Sequence, residues 1–448
     1  MKKNLFLLGV IFFSVSLVFA QASDDNSDVI ELTVDKAVAM ALENNMTIKQ
    51  SKMDLDLQKM KKNYSWNSIS PSLSLSGGID GGKSGTTKTF SDAEITNSWS
   101  ASGSIGLSLT PALATSIKAA QLSYESGELS YENARRSIEL NVRKTFYSLL
   151  YFNKNLELQQ RSLETAFETY KSNLSKYNQG RLSELNLLNS QYSYESKVPT
   201  VKNLVTTYDN NLDNFKIVLG LDLDDEIVLT GTLEDGASIE LNSKNLDIDI
   251  EDIPSIKSLL KNIESSKNSL TATRFSAYAP SVSFSASVRS SGNLGSNGSS
   301  SMGAASNDPK LSVSYSATVR IPLDGYMPWS NGSLNIETQK EALEKQSQNL
   351  EQTKKTTEIS IRNNYNSIKQ AIVQLGLYEK NVELMQKTYD MTRTSYNAGS
   401  SDLLTLQKAE DNLYQAKYNV ENQRYSIISA VLDLENMLGI EFGSLGKE

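Results

Sequence analysis

The chain contains no cysteine and no histidine in its 448 residues. Without cysteine there is no disulfide framework and no N-terminal Cys to carry a lipid. Without either residue, most transition-metal sites and most His- or Cys-based catalysis are excluded. Carboxylate chemistry passes that filter, but no constellation of acid, base and nucleophile stands out. The chain is therefore read as a non-enzyme with no cofactor and no metal. An excess of positive charge is also absent: the formal net charge is −8, which argues against a nucleic-acid partner. Beyond the N-terminus no apolar run approaches the ~18 residues of a membrane-spanning helix. Alternating barrel strands remain open, because they barely raise mean hydropathy.

What is present starts with a targeting signal. Lys2 and Lys3 precede the apolar run Leu5–Phe19, and Ala20 closes it with a small residue. Residues 1–20 read as a secretory signal peptide, cut after Ala20 or Ala22. The acidity is local. Between Leu221 and Asp252 stand eleven acids and one lysine, which leaves the rest of the mature chain near neutral.

The chain repeats itself at an offset of 219. Glu139 matches Glu358, Arg143 matches Arg362, Tyr170 matches Tyr389, and Tyr177-Asn178 matches Tyr396-Asn397. Gly180 matches Gly399, Leu185 matches Leu404, and Leu219-Gly220 matches Leu438-Gly439. Residues 21–220 therefore read as one structural repeat, 221–253 as an acidic linker and 254–448 as the second repeat. Each half begins with a helical stretch, near residues 34–68 and 256–277. Two alternating segments follow, then a very long helix, a glycine turn and a returning helix.

The long helices carry apolar residues at 4,3 spacing. One line runs Val142, Phe146, Leu149, Asn153, Leu156, Gln160, Leu163, Phe167, Tyr170, Leu174 and Tyr177. Its counterpart runs from Ile361 to Tyr396, and a third line runs from Leu406 to Leu434. A mean spacing of 3.5 marks a coiled-coil seam. No proline lies between Ala114 and Tyr177. At ~1.5 Å per residue such a helix is roughly 95 Å long, too long to fold round a compact core.

The four alternating segments are 72–76 (with an extension to Ile79), 98–109, 281–288 and 310–321. The last, "KLSVSYSATVRI", keeps Leu311, Val313, Tyr315, Ala317, Val319 and Ile321 on one face. Ser312, Ser314, Ser316, Thr318 and Arg320 take the other. A soluble sheet would turn the apolar face to a core; a membrane barrel would turn it to lipid and the polar face to a wet lumen. Trp66, Trp99 and Trp329, with Tyr278 and Tyr326, sit beside these segments, as interfacial aromatic girdles do. The connections rich in Gly and Ser suit external loops. Four strands cannot close a barrel, whose smallest forms have ~8. Open edges in lipid leave backbone groups unpaired at several kcal/mol each. The membrane reading therefore requires several copies of the chain.

The order of elements, the duplication and several local motifs resemble the TolC family of outer-membrane efflux proteins. "LTVDKAVAMALENNMTIK" resembles that family's N-terminal helix, with Met46 where many members have proline. "SPSLSLS" and "APSVSFSAS" resemble its proline-led strand starts. "YNQGRLSELNLLNS" and "YNAGSSDLLTLQKAE" resemble its two hairpin turns, and "LGLD" and "LGIE" the ends of its returning helices. The resemblance covers the mature chain. It implies a mainly α fold with a membrane β-barrel: four strands per protomer in a twelve-stranded trimeric barrel, below which coiled-coil helices form an α-barrel in the periplasm. It implies an outer-membrane location and a passive exit duct, in efflux or type I secretion. The implied partners are two further copies of the chain, outer-membrane lipid, a periplasmic adaptor and an inner-membrane transporter.

Carried over residue by residue, Tyr177, Asn178, Gly180, Arg181 and Ser183 would form one adaptor-docking turn. Tyr396, Asn397, Gly399, Ser400 and Ser401 would form the other. Many family members place an aspartate six residues after each tip glycine; here Asn186 and Thr405 stand there, and carboxylates lie at Glu184 and Asp402. These four are the candidate constriction. Val313, Tyr315, Ala317 and Val319 are the candidate lipid-facing residues. A coiled-coil envelope tether or adhesin stalk is the competing function. It accounts for the helices and the signal but not for four strands with aromatic edges. A periplasmic adaptor would account for one hairpin but not for two with strand pairs.

Arg181 is the only basic residue in either turn. It is expected to pair with an acid on a neighbouring tip and hold the entrance shut. Arg181→Ser should then raise single-channel opening; unchanged conductance would refute that pairing.

Overall fold

A computed structural model describes residues 30–83, 95–237, 249–296 and 310–445. The signal-peptide segment 1–20 and the central parts of the two Gly/Ser-rich connections, 84–94 and 297–309, lie outside the described residues.

The two halves have matching parts. After the short strand β1 (Ile30–Leu32) come α1 (Val34–Asn44), α2 (Met46–Tyr64), β2 (Ser72–Lys83), β3 (Ile95–Leu109), α3 (Ala112–Asn178) and α4 (Glu184–Leu219). Between the halves lie β4 (Ile227–Leu229) and α5 (Leu233–Ala237). The second half has α6 (Pro254–Tyr278), β5 (Ser281–Ser296), β6 (Lys310–Arg320), α7 (Asn331–Asn397) and α8 (Leu403–Leu438). Helices α3 and α7 are each 67 residues long, and α4 and α8 each 36. At ~1.5 Å per residue α3 and α7 each span about 100 Å.

Four details differ from the sequence reading. The first helical stretch is broken at Asn45, whose side chain accepts from the Thr47 amide at 2.9 Å and caps α2. Its Nδ2 donates to the Val218 carbonyl at 2.9 Å, so one buried asparagine ties this joint to the end of α4. The first and third alternating segments run longer, to Lys83 and Ser296, because backbone pairing carries them through glycines that interrupt the pattern. Part of the acidic linker is docked: β4 pairs in parallel with β1, and Leu233 of α5 is buried. Finally, the seam of α3 shifts towards the tips. Past Leu149 the buried positions are Leu150, Tyr151, Leu158, Ser162, Ala166 and Asn173, while Phe167, Leu174 and Tyr177 are partly open to solvent. Phe167 and Tyr170 pack on Tyr194 of α4, leaving the buried line for α8.

The helices form a single layer. On the tip side its order is α4–α3–α8–α7; on the sheet side it is α2–α3–α6–α7. Only α3 and α7 run through both parts. The largest core lies where the two parts meet, around Leu32, Val142, Phe146, Leu149, Phe215, Leu219, Ile227 and Leu432. A second cluster, Ile368, Ile427, Val431, Leu434, Leu438 and Leu445, joins α7 to α8. Phe146 is almost fully buried against Phe215, with ring centroids 6.5 Å apart. Phe146→Ala should cost about 3–5 kcal/mol of stability, measured by chemical unfolding. Exposed Val373→Ala on α7 should be close to neutral for the isolated chain.

Candidate functional site

The strands form one antiparallel sheet in the order β2-β3-β5-β6, so the middle pair joins the two halves. Its register places like with like. Leu73 lies opposite Ile105, Ile105 opposite Ala286, and Ala286 opposite Tyr315. Leu75, Gly103, Val288 and Val313 form the next row up. The other face is a wall of hydroxyls. Ser74 and Ser104 lie 2.6 Å apart, Ser76 and Ser102 2.8 Å, Ser285 and Ser316 2.8 Å, and Ser287 and Ser314 2.8 Å. Cross-strand hydroxyl pairs stabilise the register without any core.

Among the described residues nothing covers the apolar face. Leu75 and Tyr315 are both 88% exposed, and Val313, Ala317 and Val319 are exposed as well. Water does not favour such a surface: at roughly 25 cal/mol per Å² a contiguous apolar sheet face needs another apolar phase against it. Among the described residues the outer strands β2 and β6 have no neighbour on their far sides. Around the base of the sheet, Trp66 and Trp329 are largely exposed, and Tyr278 meets Tyr326 edge-on at 5.1 Å.

The other end of the molecule carries the two hairpin turns, and they are built alike. Helix α3 ends at Asn178; the Gly180 amide then donates to the Tyr177 carbonyl at 2.8 Å and the Arg181 amide to the Lys176 carbonyl at 2.9 Å. Helix α7 ends at Asn397; the Gly399 amide donates to the Tyr396 carbonyl at 3.1 Å and the Ser400 amide to the Ser395 carbonyl at 2.9 Å. Gly180 and Gly399 have φ of 71° and 77°, which favours glycine. The space around both is open, so the requirement is conformational and not steric crowding. The returning helices start on matched caps. The Ser183 hydroxyl accepts from the Asn186 amide at 3.4 Å, and the Asp402 carboxylate accepts from the Thr405 amide at 2.7 Å. That backbone amide holds the Asp402 carboxyl below its ordinary range. Asp402 therefore has a structural task at α8 besides any role at a constriction. Glu184 and Thr405 are exposed, and Asn186 and Ser401 half-buried. Arg181 has no ion-pair partner within its own chain among the described residues.

The two tip tyrosines differ. Tyr177 is partly exposed at the turn. Tyr396 reaches across: its hydroxyl donates to Oδ1 of Asn173 on α3 at 2.7 Å, and the Lys176 ammonium lies 5.0 Å from its ring centre. Burial pushes the Tyr396 phenol up. It is a strut between the hairpins. Asn173 and Ser162 were not legible as site residues, because small and polar side chains carry no periodic apolar signal; both are fully or almost fully buried between α3 and its neighbours.

This arrangement matches known proteins. The family model described as "Outer membrane efflux protein" matches residues 37–220 and 250–440. The toxin and drug export protein A of Aggregatibacter actinomycetemcomitans is 24% identical over 408 residues, covering 88% of this chain and 85% of that one. The outer membrane protein TolC of Salmonella enteritidis is 22% identical over 322 residues, covering 68% of this chain and 61% of that one. Among solved structures, the Campylobacter jejuni CmeC outer membrane channel superposes with a TM-score of 0.70 at 19% identity, covering 92% of this chain and 87% of that one.

The cap geometry generates a local test. Ser183→Ala should cost about 1 kcal/mol at the start of α4 and speed amide exchange there. Ser183→Asp, which copies the cap at Asp402, should retain protection.

Proposed function

The chain belongs to the outer membrane efflux protein family, and from that premise we propose that it is the outer-membrane exit duct of a tripartite efflux or type I secretion system. The observation that carries this reading is the sheet: among the described residues one face is apolar and uncovered, the other is lined with hydroxyls, and both edges are unpaired. Lipid would cover the apolar face, through Val313, Tyr315, Ala317 and Val319 among others. Ser312, Ser314, Ser316 and Thr318 would line a water-filled lumen. Three copies supply twelve strands, enough to close a barrel and pair every edge.

The helical layer supports the same assembly. Its outer helices are apolar on the sides turned away from their own neighbours. On α7, Val373, Leu377, Leu384 and Met391 are exposed about half a turn from the α8-facing line. On α4, Leu185, Leu188 and Tyr192 are exposed about half a turn from Ser190, Tyr194 and Val201. Both patches lie on the tip side of the layer; the α4 patch sits close to its turn, and the α7 patch begins at the same level with Met391 and runs further towards the waist. The α7 edge of one copy would meet the α4 edge of the next and close a tube. A coiled-coil tether needs no such sheet and leaves its apolar face unexplained.

In this reading residues 1–20 direct export, and residues 21–220 and 254–448 each supply two strands and one hairpin. The acidic linker 221–253, of which 238–248 lie outside the described residues, would girdle the waist. The turns at Tyr177, Asn178, Gly180, Arg181 and Ser183, and at Tyr396, Asn397, Gly399, Ser400 and Ser401, would receive a periplasmic adaptor that links the duct to an inner-membrane pump. Glu184, Asn186, Asp402 and Thr405 would surround the entrance. The duct is passive, so the pump would select the cargo.

The purified, detergent-extracted protein should run as a trimer and conduct in planar bilayers. A correctly sized oligomer without channels, even in variants altered to open the tips, would refute the duct. Single cysteines refine the test. Val313→Cys and Ala317→Cys should be shielded from a polar thiol reagent, while Ser314→Cys and Ser316→Cys should react; the reverse pattern overturns the assignment of faces. Leu377→Asp combined with Leu384→Asp should shift the trimer towards monomer by size-exclusion chromatography.

A further inference from the structure

One buried charge in the helical layer has no evident structural use. Glu410 lies on α8, eight residues past the Asp402 cap and so about 12 Å from it along the helix. It is 6% exposed and is flanked by buried Leu406, Ala409 and Leu413. Its Oε1 has no hydrogen-bond partner. A buried carboxylate left this way is costly when ionised and far less so when protonated.

The groups facing it come from all four helices of the tip-side layer. From α3 comes Ser162, whose hydroxyl accepts from Lys197 Nζ of α4 at 2.8 Å. Lys197 also pairs with Asp411, Glu410's neighbour on α8, at 3.2 Å, so its charge is shared. From α7 come Arg393 and Tyr389, and from α8 itself Asp411 and Tyr414. The Tyr414 hydroxyl lies 3.3 Å from that of Thr165 on α3. The contact between the two hairpins at this level thus closes over a carboxyl group.

We propose that Glu410 is a proton-operated latch between the hairpins: protonated, it lets α3/α4 seal against α7/α8 near the tips, and ionised, it favours their parting. Desolvation, helped by the Asp411 charge, pushes the carboxyl up to about 7, against the opposing pull of Lys197, the Ser162 hydroxyl and Arg393. The sign follows from linkage. A carboxyl raised in the packed state favours packing below its ordinary pKa of 4.5. That advantage is lost progressively as pH rises through about 7, each unit of displacement being tenfold in the ratio of packed to parted forms. The other half of the chain lacks the device. Gln191, 219 residues earlier, holds the matching place on α4 and is neutral at every pH. Glu410→Gln therefore introduces the residue that the repeat already tolerates.

The proposal rests on reading the turns as the entrance of the duct, and the test separates the two ideas. The chain has no cysteine, so Gln179→Cys and Ser400→Cys place one spin label on each turn of the full-length protein. Labelled chains are diluted into unlabelled ones so that the distance measured is within one protomer. Between pH 4.5 and 8.5 that distance should lengthen, with the change nearly complete at about pH 7. With Glu410→Gln it should stay short throughout. With Lys197→Met, which removes a cation that steadies the ionised carboxyl in the packed state and an ion pair from α4 to α8, parting should set in at lower pH. A pH-independent distance in the parent protein, or an unaltered curve in Glu410→Gln, overturns the latch. Bilayer conductance is measured on the same samples. A distance transition without conductance would sink the duct and keep the latch; conductance with a fixed distance would do the opposite.

Discussion

The structure depends on the packing of α8 on two sides. Leu406, Leu413, Val420, Ile427 and Leu434 are buried along it, and it lies between α3 of the first half and α7 of the second. Without that contact the two halves would be separate hairpins joined by a linker. With it they become one four-helix layer, and the sheet at the far end is held in a matching order, with β3 paired to β5. Helices of 67 residues gain little from propensity alone; most helical stability comes from the packed face. Here each long helix has a packed face along much of its length, and α8 supplies it for both on the tip side.

The same layer leaves its outer sides open. A globular domain folds its sheet and helices over one another until the apolar surface is covered. The described chain is one layer thick away from the waist, so in the proposed assembly the covering would come from other copies and from lipid. Among the described residues, unpaired strands, an uncovered apolar sheet face and apolar lines on the outer sides of α4 and α7 are three consequences of one geometry. They also explain why the largest core lies at the waist. Only there do α1, α3, α4, α8, β1, β4 and α5 meet in more than one layer.

Much of this was legible in the residues. The alternation in 310–321 and its three relatives marked the strands, because a period of two is unmistakable when serine alternates with apolar residues. The offset of 219 marked the duplication and both glycine turns. Other parts were not legible. The three-residue strands Ile30–Leu32 and Ile227–Leu229 are too short to show a period, and they pair across nearly 200 residues. The second buried line of α3 is carried by Ser162, Ala166 and Asn173, which look like surface residues in a sequence. Phe167 and Leu174 look like core and are half-open, because a helix packed on two sides does not bury every apolar residue. Asn45 looked like an interior helix residue; only the nearby end of α4 makes it a joint.

By itself, the sequence determined the local structure and the repetition. Residue period and glycine φ depend only on neighbours along the chain, so the strands, the long helices and both turns follow from it. The tertiary structure decided what each face meets. Whether a leucine on a helix is buried, whether a glutamate loses its water and whether a strand has a neighbour all depend on elements distant in sequence. Hence Glu410 and Gln191 occupy equivalent places in the repeat, yet only Glu410 is shut into a contact between hairpins, where burial alone changes the cost of its charge.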